Sequence, residues 1–237
     1  MGKVWTVARR ELGSYFTSPT AYVLLAVFAA ICGYFFVTLV VVSSAPDVSG
    51  LLGNVALLFV FIAPVWTMRL LSEERRAGTE ELILTSPVSP WQWVAGKFLG
   101  TLVLYLAFLV VTLVYPLAVW HYGGSFDWHA MLTTYLGLVL LGAAFLSLGL
   151  WASSLSDNPV VAGMIGFGFT LLLWLADWLG GSVGGRLGDV LNYLAVYRHL
   201  WDFVRGVIDT QHLIYFGSLI FAGLFFAVRS IEARRWT

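Results

Sequence analysis

Six apolar runs, each near or above the length needed to cross a bilayer, decide what this chain can fold into. They cover residues 21–42, 51–71, 91–120, 131–155, 160–179 and 213–228. A helix of about 20 apolar residues crosses roughly 30 Å of hydrocarbon. The sequence therefore reads as an all-α, polytopic membrane protein with six transmembrane helices, one domain over residues 1–237. Only 11% of its residues are charged, where soluble domains carry about 25%. Mean hydropathy is +0.86. Pro64 is expected to kink the second run and Pro116 to break the third near its end. The last run is short, so its ends must thin the bilayer or lean on Gln211, Tyr215 and Arg229.

Charge orients these runs. Lys3, Arg9 and Arg10 precede the first. Arg69, Arg75, Arg76 and Lys97 follow the second, and Arg229, Arg234 and Arg235 close the chain. The turns at 43–50 and 121–130 hold no Lys or Arg. Positive charge marks the cytoplasmic side, so both termini are expected inside an inner membrane. Residues 180–212 then lie outside although they hold Arg186, Arg198 and Arg205, each with an aspartate within four positions. The N-terminus does not read as a cleaved signal, because its apolar run starts late and is too long. Val4, Val7, Ala8, Leu12, Tyr15 and Phe16 recur at helical spacing. Residues 1–19 are thus expected to form an amphipathic helix in the membrane interface, turned upward at Ser18-Pro19.

Residues 69–97, RLLSEERRAGTEELILTSPVSPWQWVAGK, are the long polar interruption of the first two-thirds. The second helix is expected to continue as LLSEERRA beyond the membrane. Gly78 suits a left-handed C-terminal cap. Thr79 suits an N-cap, with Glu80 and Glu81 in the first turn, where the helix dipole favours anions. A short helix over 80–86 follows, and Pro87 ends it. Leu82, Ile83 and Leu84 give that helix an apolar face. They either rest in the bilayer surface or dock in a partner's groove.

This stretch resembles the first cytoplasmic loop of type-2 ABC exporter permeases. The matching residues are Glu74, Gly78, Thr79, Glu81, Leu82, Pro87, Val88, Ser89, Gly96, Lys97 and Leu99. Residues 193–209, YLAVYRHLWDFVRGVID, and the closing EARRW are similar to the gliding-motility-associated branch. The resemblance implies a permease subunit that dimerises with a second copy or a related permease. It implies that 80–86 is a coupling helix docked on a separate ATP-binding subunit, with residues 1–19 as the connecting helix beside it. ATP and Mg2+ would then sit in that partner, and a membrane subunit with a large external domain would be a further partner.

The residues themselves offer little other chemistry. A phosphate loop needs two glycines flanking four residues, then Lys and Ser or Thr. At Gly96-Lys97, Trp91 and Phe98 stand at two of those positions, so ATP chemistry is expected elsewhere. His121, His129, His199 and His212 show no metal-binding spacing, and Ser218 has no evident base. The 13 basic and 13 acidic residues leave no basic patch for nucleic acid. Cys32, the single cysteine, reads as a buried apolar group. Asp177, between Trp174 and Trp178, reads as a carboxylate reaching back to water.

The outer segment 180–212 carries Arg198, Asp202, Arg205 and Asp209 at spacings of four, three and four. On one helix these form a charged row of mutual partners, beside an apolar row of Leu194, Tyr197, Trp201, Val204 and Ile208. The segment reads as an amphipathic helix or helical hairpin, broken at Gly206 and entered through a flexible glycine-rich lead-in. It is either a solvated loop or a lid on the outer mouth of a dimeric pathway. Few polar residues mark the spans: Thr38, Thr67, Thr101, Thr112, Thr133, Thr134, Ser147 and Thr170. That favours an amphipathic or lipid-like cargo. The alternatives are a subunit that transmits ATPase motion to an external partner without transport, or an intramembrane enzyme.

Overall fold

Small side chains set how closely two helices approach inside a membrane, and the run at 131–155 is rich in them. The computed structural model describes residues 2–38, 48–79, 88–121 and 127–234. Its helices are α1 (Gly2–Thr17), α2 (Pro19–Phe36), α3 (Val48–Thr67), α4 (Ser72–Arg76), α5 (Pro90–Thr112), α6 (Val114–His121), α7 (Trp128–Leu155), α8 (Pro159–Val183), α9 (Gly185–Leu194), α10 (Val196–Val204) and α11 (Thr210–Arg234). No strand occurs among the described residues. Five stretches are long and apolar enough to cross a membrane: α3 with α4, α5 with α6, α7, α8 and α11. The pair α1 and α2, bent by 73°, makes a sixth if it counts as one span. The first expected span, 21–42, is described only through Thr38; residues 39–42 lie outside the described residues.

Helix α7 is the centre of the bundle, packed by α3, α5, α8, α10 and α11. A Cβ on Gly142 would lie 2.1 Å from the Tyr105 ring of α5, and one on Gly149 would lie 2.1 Å from the Thr67 hydroxyl of α3. These glycines let Tyr105 and Thr67 approach the helix backbone directly. The core between them is aromatic, with Phe28, Phe59, Trp66, Tyr105 and Phe108 in mutual ring contact. Cys32 is buried and free.

The helix starts follow their local chemistry. Ser89 and Gln92 form a reciprocal capping box ahead of Pro90 at the head of α5. Asn158 caps α8 ahead of Pro159, and Asp127 caps α7. Such residues accept orphan N–H groups of the first turn, and proline has no N–H to orphan there. Inside α3, Pro64 cannot donate to the Val60 carbonyl. The Thr170 hydroxyl of α8 donates to that carbonyl instead, at 3.1 Å. The third run breaks at Leu113, between α5 and α6. Pro116 lies three residues further on, and its ring clashes with the carbonyl four residues back, at Thr112.

Two ends result. One gathers α1, α4, the start of α5, the α7–α8 turn and the end of α11. The other holds the end of α6, the start of α7, α9 and α10.

Candidate functional site

At the first of these ends, α1 lies against the opening turns of α5. The contact is made by two glycines four apart. A Cβ on Gly96 would fall 2.6 Å from Val7 Cβ and 2.9 Å from the Val4 carbonyl oxygen; one on Gly100 would fall 2.9 Å from Glu11 Cβ. That close approach brings a lysine from α5 beneath α1. Lys97 Nζ lies 3.2 Å from Glu11 Oε2 and 3.1 Å from Glu74 Oε2, with its side chain 3% exposed. Arg10 reaches Glu74 at 3.3 Å from the solvent side. The Tyr15 hydroxyl donates to the Trp66 carbonyl at 3.0 Å. Helix α1 is therefore pinned to α3, α4 and α5 at once.

Two cations and two carboxylates make this cluster formally neutral. Both carboxylates are engaged by cations of the cluster itself. Chemically it is a joint, able to carry displacement between three helices. Gly96-Lys97 lies inside α5, with Lys97 committed to two carboxylates, so it is no phosphate-binding loop. The apolar row foreseen on α1 faces protein at Val4, Val7, Ala8, Leu12 and Tyr15, whereas Phe16 is exposed.

Of the residues expected to couple this chain to an ATPase, Glu74, Gly78 and Thr79 fall within the described residues. Gly78 has φ +68°, the left-handed conformation expected of a C-terminal cap. The Thr79 hydroxyl donates to the Glu74 carbonyl at 3.0 Å, closing the end of α4. Glu80, Glu81, Leu82, Ile83, Leu84 and Pro87 lie outside the described residues. From α4, Arg75 bonds the Ser154 carbonyl at 2.8 Å and pairs with Asp157 at 3.2 Å. Arg234 reaches Asp157 at 3.4 Å. The Ser153 hydroxyl accepts the Leu71 and Ser72 N–H groups. The described start of the polar loop, residues 71–75, thus stands on α7 and the α7–α8 turn as well as on α1.

The outer segment differs from its expected form. It is two short helices, α9 and α10, hinged at an extended Ala195. The glycine-rich lead-in is mostly helical: α8 runs to Val183, and only Gly184 and Gly185 turn, at φ +64° and +63°. Gly206, at φ +87°, lies just past the end of α10 and breaks the segment there, as expected. The buried face of α10 is Val196, His199, Leu200, Phe203 and Val204. Leu194, Trp201 and Ile208 of the foreseen apolar row are exposed. The charged row does not pair within itself. Arg198 bonds Asp177 of α8, so Asp177 is held by a partner across the helix gap. Asp202 meets His212 at 2.8 Å. Arg205 lies over the Trp201 ring at 5.6 Å. Asp209 caps α11 by accepting the Gln211 N–H, which holds its carboxyl below the usual range. An i, i+4 spacing describes only neighbours on one helix; here helix-to-helix approach chose the partners.

Sequence reasoning missed Glu11 as the partner of Lys97. The small-xxx-small spacing of Gly96 and Gly100 was the available signal. It also missed the approach of His199 to His212. Among the described residues, no group of three His, Cys, Asp or Glu could hold a metal ion.

Comparison with known families matches residues 48–190 to a family described as ABC-2 family transporter protein. The matched range runs from α3 into α9. No curated protein matches the chain.

Proposed function

This chain belongs to the ABC-2 family of transporter proteins, and on that premise we propose that it is the membrane half of a pump whose motor is another chain. The family is one of non-catalytic, multi-pass membrane permeases, and membership implies an ATPase partner. ATP and Mg2+ reside in that partner. The basic end of the bundle is cytoplasmic, with both termini there, in an inner membrane. The partner docks on the helix at 80–86 through Leu82, Ile83 and Leu84, and a second permease copy completes the transporter.

The observation that carries this reading is the buried Lys97 cluster. It fastens α1, α4 and α5 together, and α4 and α5 flank in sequence the loop that would receive force. A push on that loop is then shared by several helices at once. The resemblance of residues 193–209 to the gliding-motility-associated branch supports an accessory subunit with a large external domain as a further partner.

The hydroxyls of the spans support a reading of the cargo. Thr38, Thr67, Thr101, Thr112, Thr133, Thr134, Ser147 and Thr170 each donate to a backbone carbonyl. Hydroxyls spent this way do not line a wet channel, which supports an amphipathic or lipid-like substrate. The same observation supports the second reading, transmission of ATPase motion to an external partner without transport.

The test is the double substitution Leu82→Asp and Leu84→Asp in the reconstituted complex. An apolar anchor in a pocket is worth about 2 kcal/mol or more when truncated. The variant is expected to insert normally, to hold the ATPase at least tenfold more weakly and to lose coupled turnover. Normal assembly and turnover would sink the docking claim.

A further inference from the structure

At the end of the bundle remote from Lys97, two histidine rings face each other. His199 sits on the inner face of α10 and is 4% exposed. His212 lies in the first turn of α11, its side chain 11% exposed. Their Nδ1 atoms are 2.7 Å apart. The far nitrogen of each ring is engaged as well. His199 Nε2 lies 2.9 Å from the Tyr193 carbonyl oxygen of α9. His212 Nε2 lies 2.8 Å from the Asp202 carboxylate of α10. The His199 ring stacks on Tyr215 at 3.8 Å between centroids, and the Tyr215 hydroxyl donates to the Leu194 carbonyl at 2.6 Å. One continuous chain therefore links α9, α10 and α11.

Its protons can be counted. A carbonyl oxygen only accepts, so His199 Nε2 must carry a hydrogen. An ionised carboxylate only accepts, so His212 Nε2 must carry one too. The Nδ1···Nδ1 contact needs one hydrogen between two nitrogens. The pattern is complete with three protons on four ring nitrogens, one more than two neutral imidazoles hold. We propose that His199, His212 and Asp202 form a proton-binding site whose one extra proton fastens α9 and α10 to α11.

The charge belongs on His212, beside Asp202. His199 is the ring that burial holds toward neutrality, its pKa lowered by desolvation against the opposing pull of the Tyr193 carbonyl. Of the cations on α10, Arg198 is taken by Asp177 and Arg205 lies over the Trp201 ring. Asp209 is the second carboxylate acting on His212. Tyr193 meets His199 edge-on at 5.9 Å, and Tyr215 covers its face. From α7, Thr133 and Thr134 turn to the Phe203 carbonyl. From α8, Asp177 is taken by Arg198. Asp202, its side chain 41% exposed, opens the site to solvent.

Three loading states follow. With two ring protons, one link of the chain becomes two facing lone pairs. With three, every link is closed. With four, two Nδ1–H groups oppose each other. Fastening is thus lost as pH rises through release of the extra proton, and lost again at low pH when His199 charges.

The experiment uses the full chain in lipid nanodiscs, with 15N-labelled histidine followed by NMR across the range in which histidines titrate, about pH 5 to 8. Loss of signals in His199→Gln and in His212→Gln assigns the two rings. At the acidic side of the step the expected spectrum holds one ring protonated at both nitrogens and one protonated at Nε2. Asp202→Asn should lower the midpoint by about one pH unit, a tenfold weaker proton affinity. Two neutral rings throughout that range, or a midpoint unmoved by Asp202→Asn, would overturn the site. Hydrogen exchange of residues 196–204 supplies the second arm. Protection, corrected for intrinsic rate, should fall as pH rises through the step in the native chain but stay level in His212→Gln. The same fall in both would overturn the fastening.

Discussion

Lys97 holds two carboxylates in a place water hardly reaches. Removing one member of such a set leaves the others charged and buried, which costs about 3–5 kcal/mol. Lys97→Met should therefore lower the thermal midpoint of the purified chain sharply. Adding Glu11→Gln and Glu74→Gln should recover most of the loss, because no buried charge then remains. A triple variant as unstable as the single one would refute this account. Thr170 makes a quieter residue-scale case. Its hydroxyl serves the Val60 carbonyl that Pro64 leaves without a donor, and an interhelical bond of this kind is worth about 1 kcal/mol. Thr170→Val should cost that much in a denaturation series. In a Pro64→Ala background it should cost less, since a backbone N–H is then available to the same carbonyl.

At the scale of elements, the α1–α5 contact rests on absent side chains. Gly96→Leu or Gly100→Leu should lift α1 from α5 and raise proteolytic cutting within residues 2–17, with the spans still inserted. Gly13, whose Cβ would meet nothing within 4 Å, is the control: Gly13→Ala should gain up to about 1 kcal/mol from helix propensity. The helices themselves were legible as apolar runs, and the stop at Gly78 was read from its cap chemistry, because caps and breaks are local. The faces and partners were less so. Residues 2–17 show an amphipathic period, but that period does not say whether the apolar face meets lipid or α5. In α10 the period was placed on Tyr197 and Trp201, large side chains that stack on each other at the surface. The protein selected His199, Leu200 and Phe203 for burial because Gly137 of α7 gives Phe203 room; a Cβ there would lie 2.8 Å from Phe203 Cβ. Arg198, Asp202 and Glu11 found partners on other helices, which no single-helix spacing encodes.

For the whole molecule, the expected topology puts Arg9 on the inner side and Val207 on the outer. Single cysteines introduced there in a Cys32→Ala background should differ in intact cells. Val207→Cys should react with an impermeant maleimide, and Arg9→Cys only after the membrane is opened. Reaction of both from outside would end the assignment. The charges at the basic end also divide by depth, and ionic strength acts on the two groups unequally. The distance over which salt leaves charges in contact shrinks from about 8 Å at physiological salt to about 3 Å at 1 M. Asp157 and Arg234, with side chains 66% and 44% exposed, meet in water that salt enters. Lys97, 3% exposed, does not. A concentrated salt wash should therefore loosen the end of α11 while leaving α1 seated on α5, so the surface proposed to receive the motor outlasts a wash that strips a peripheral ATPase from the membrane.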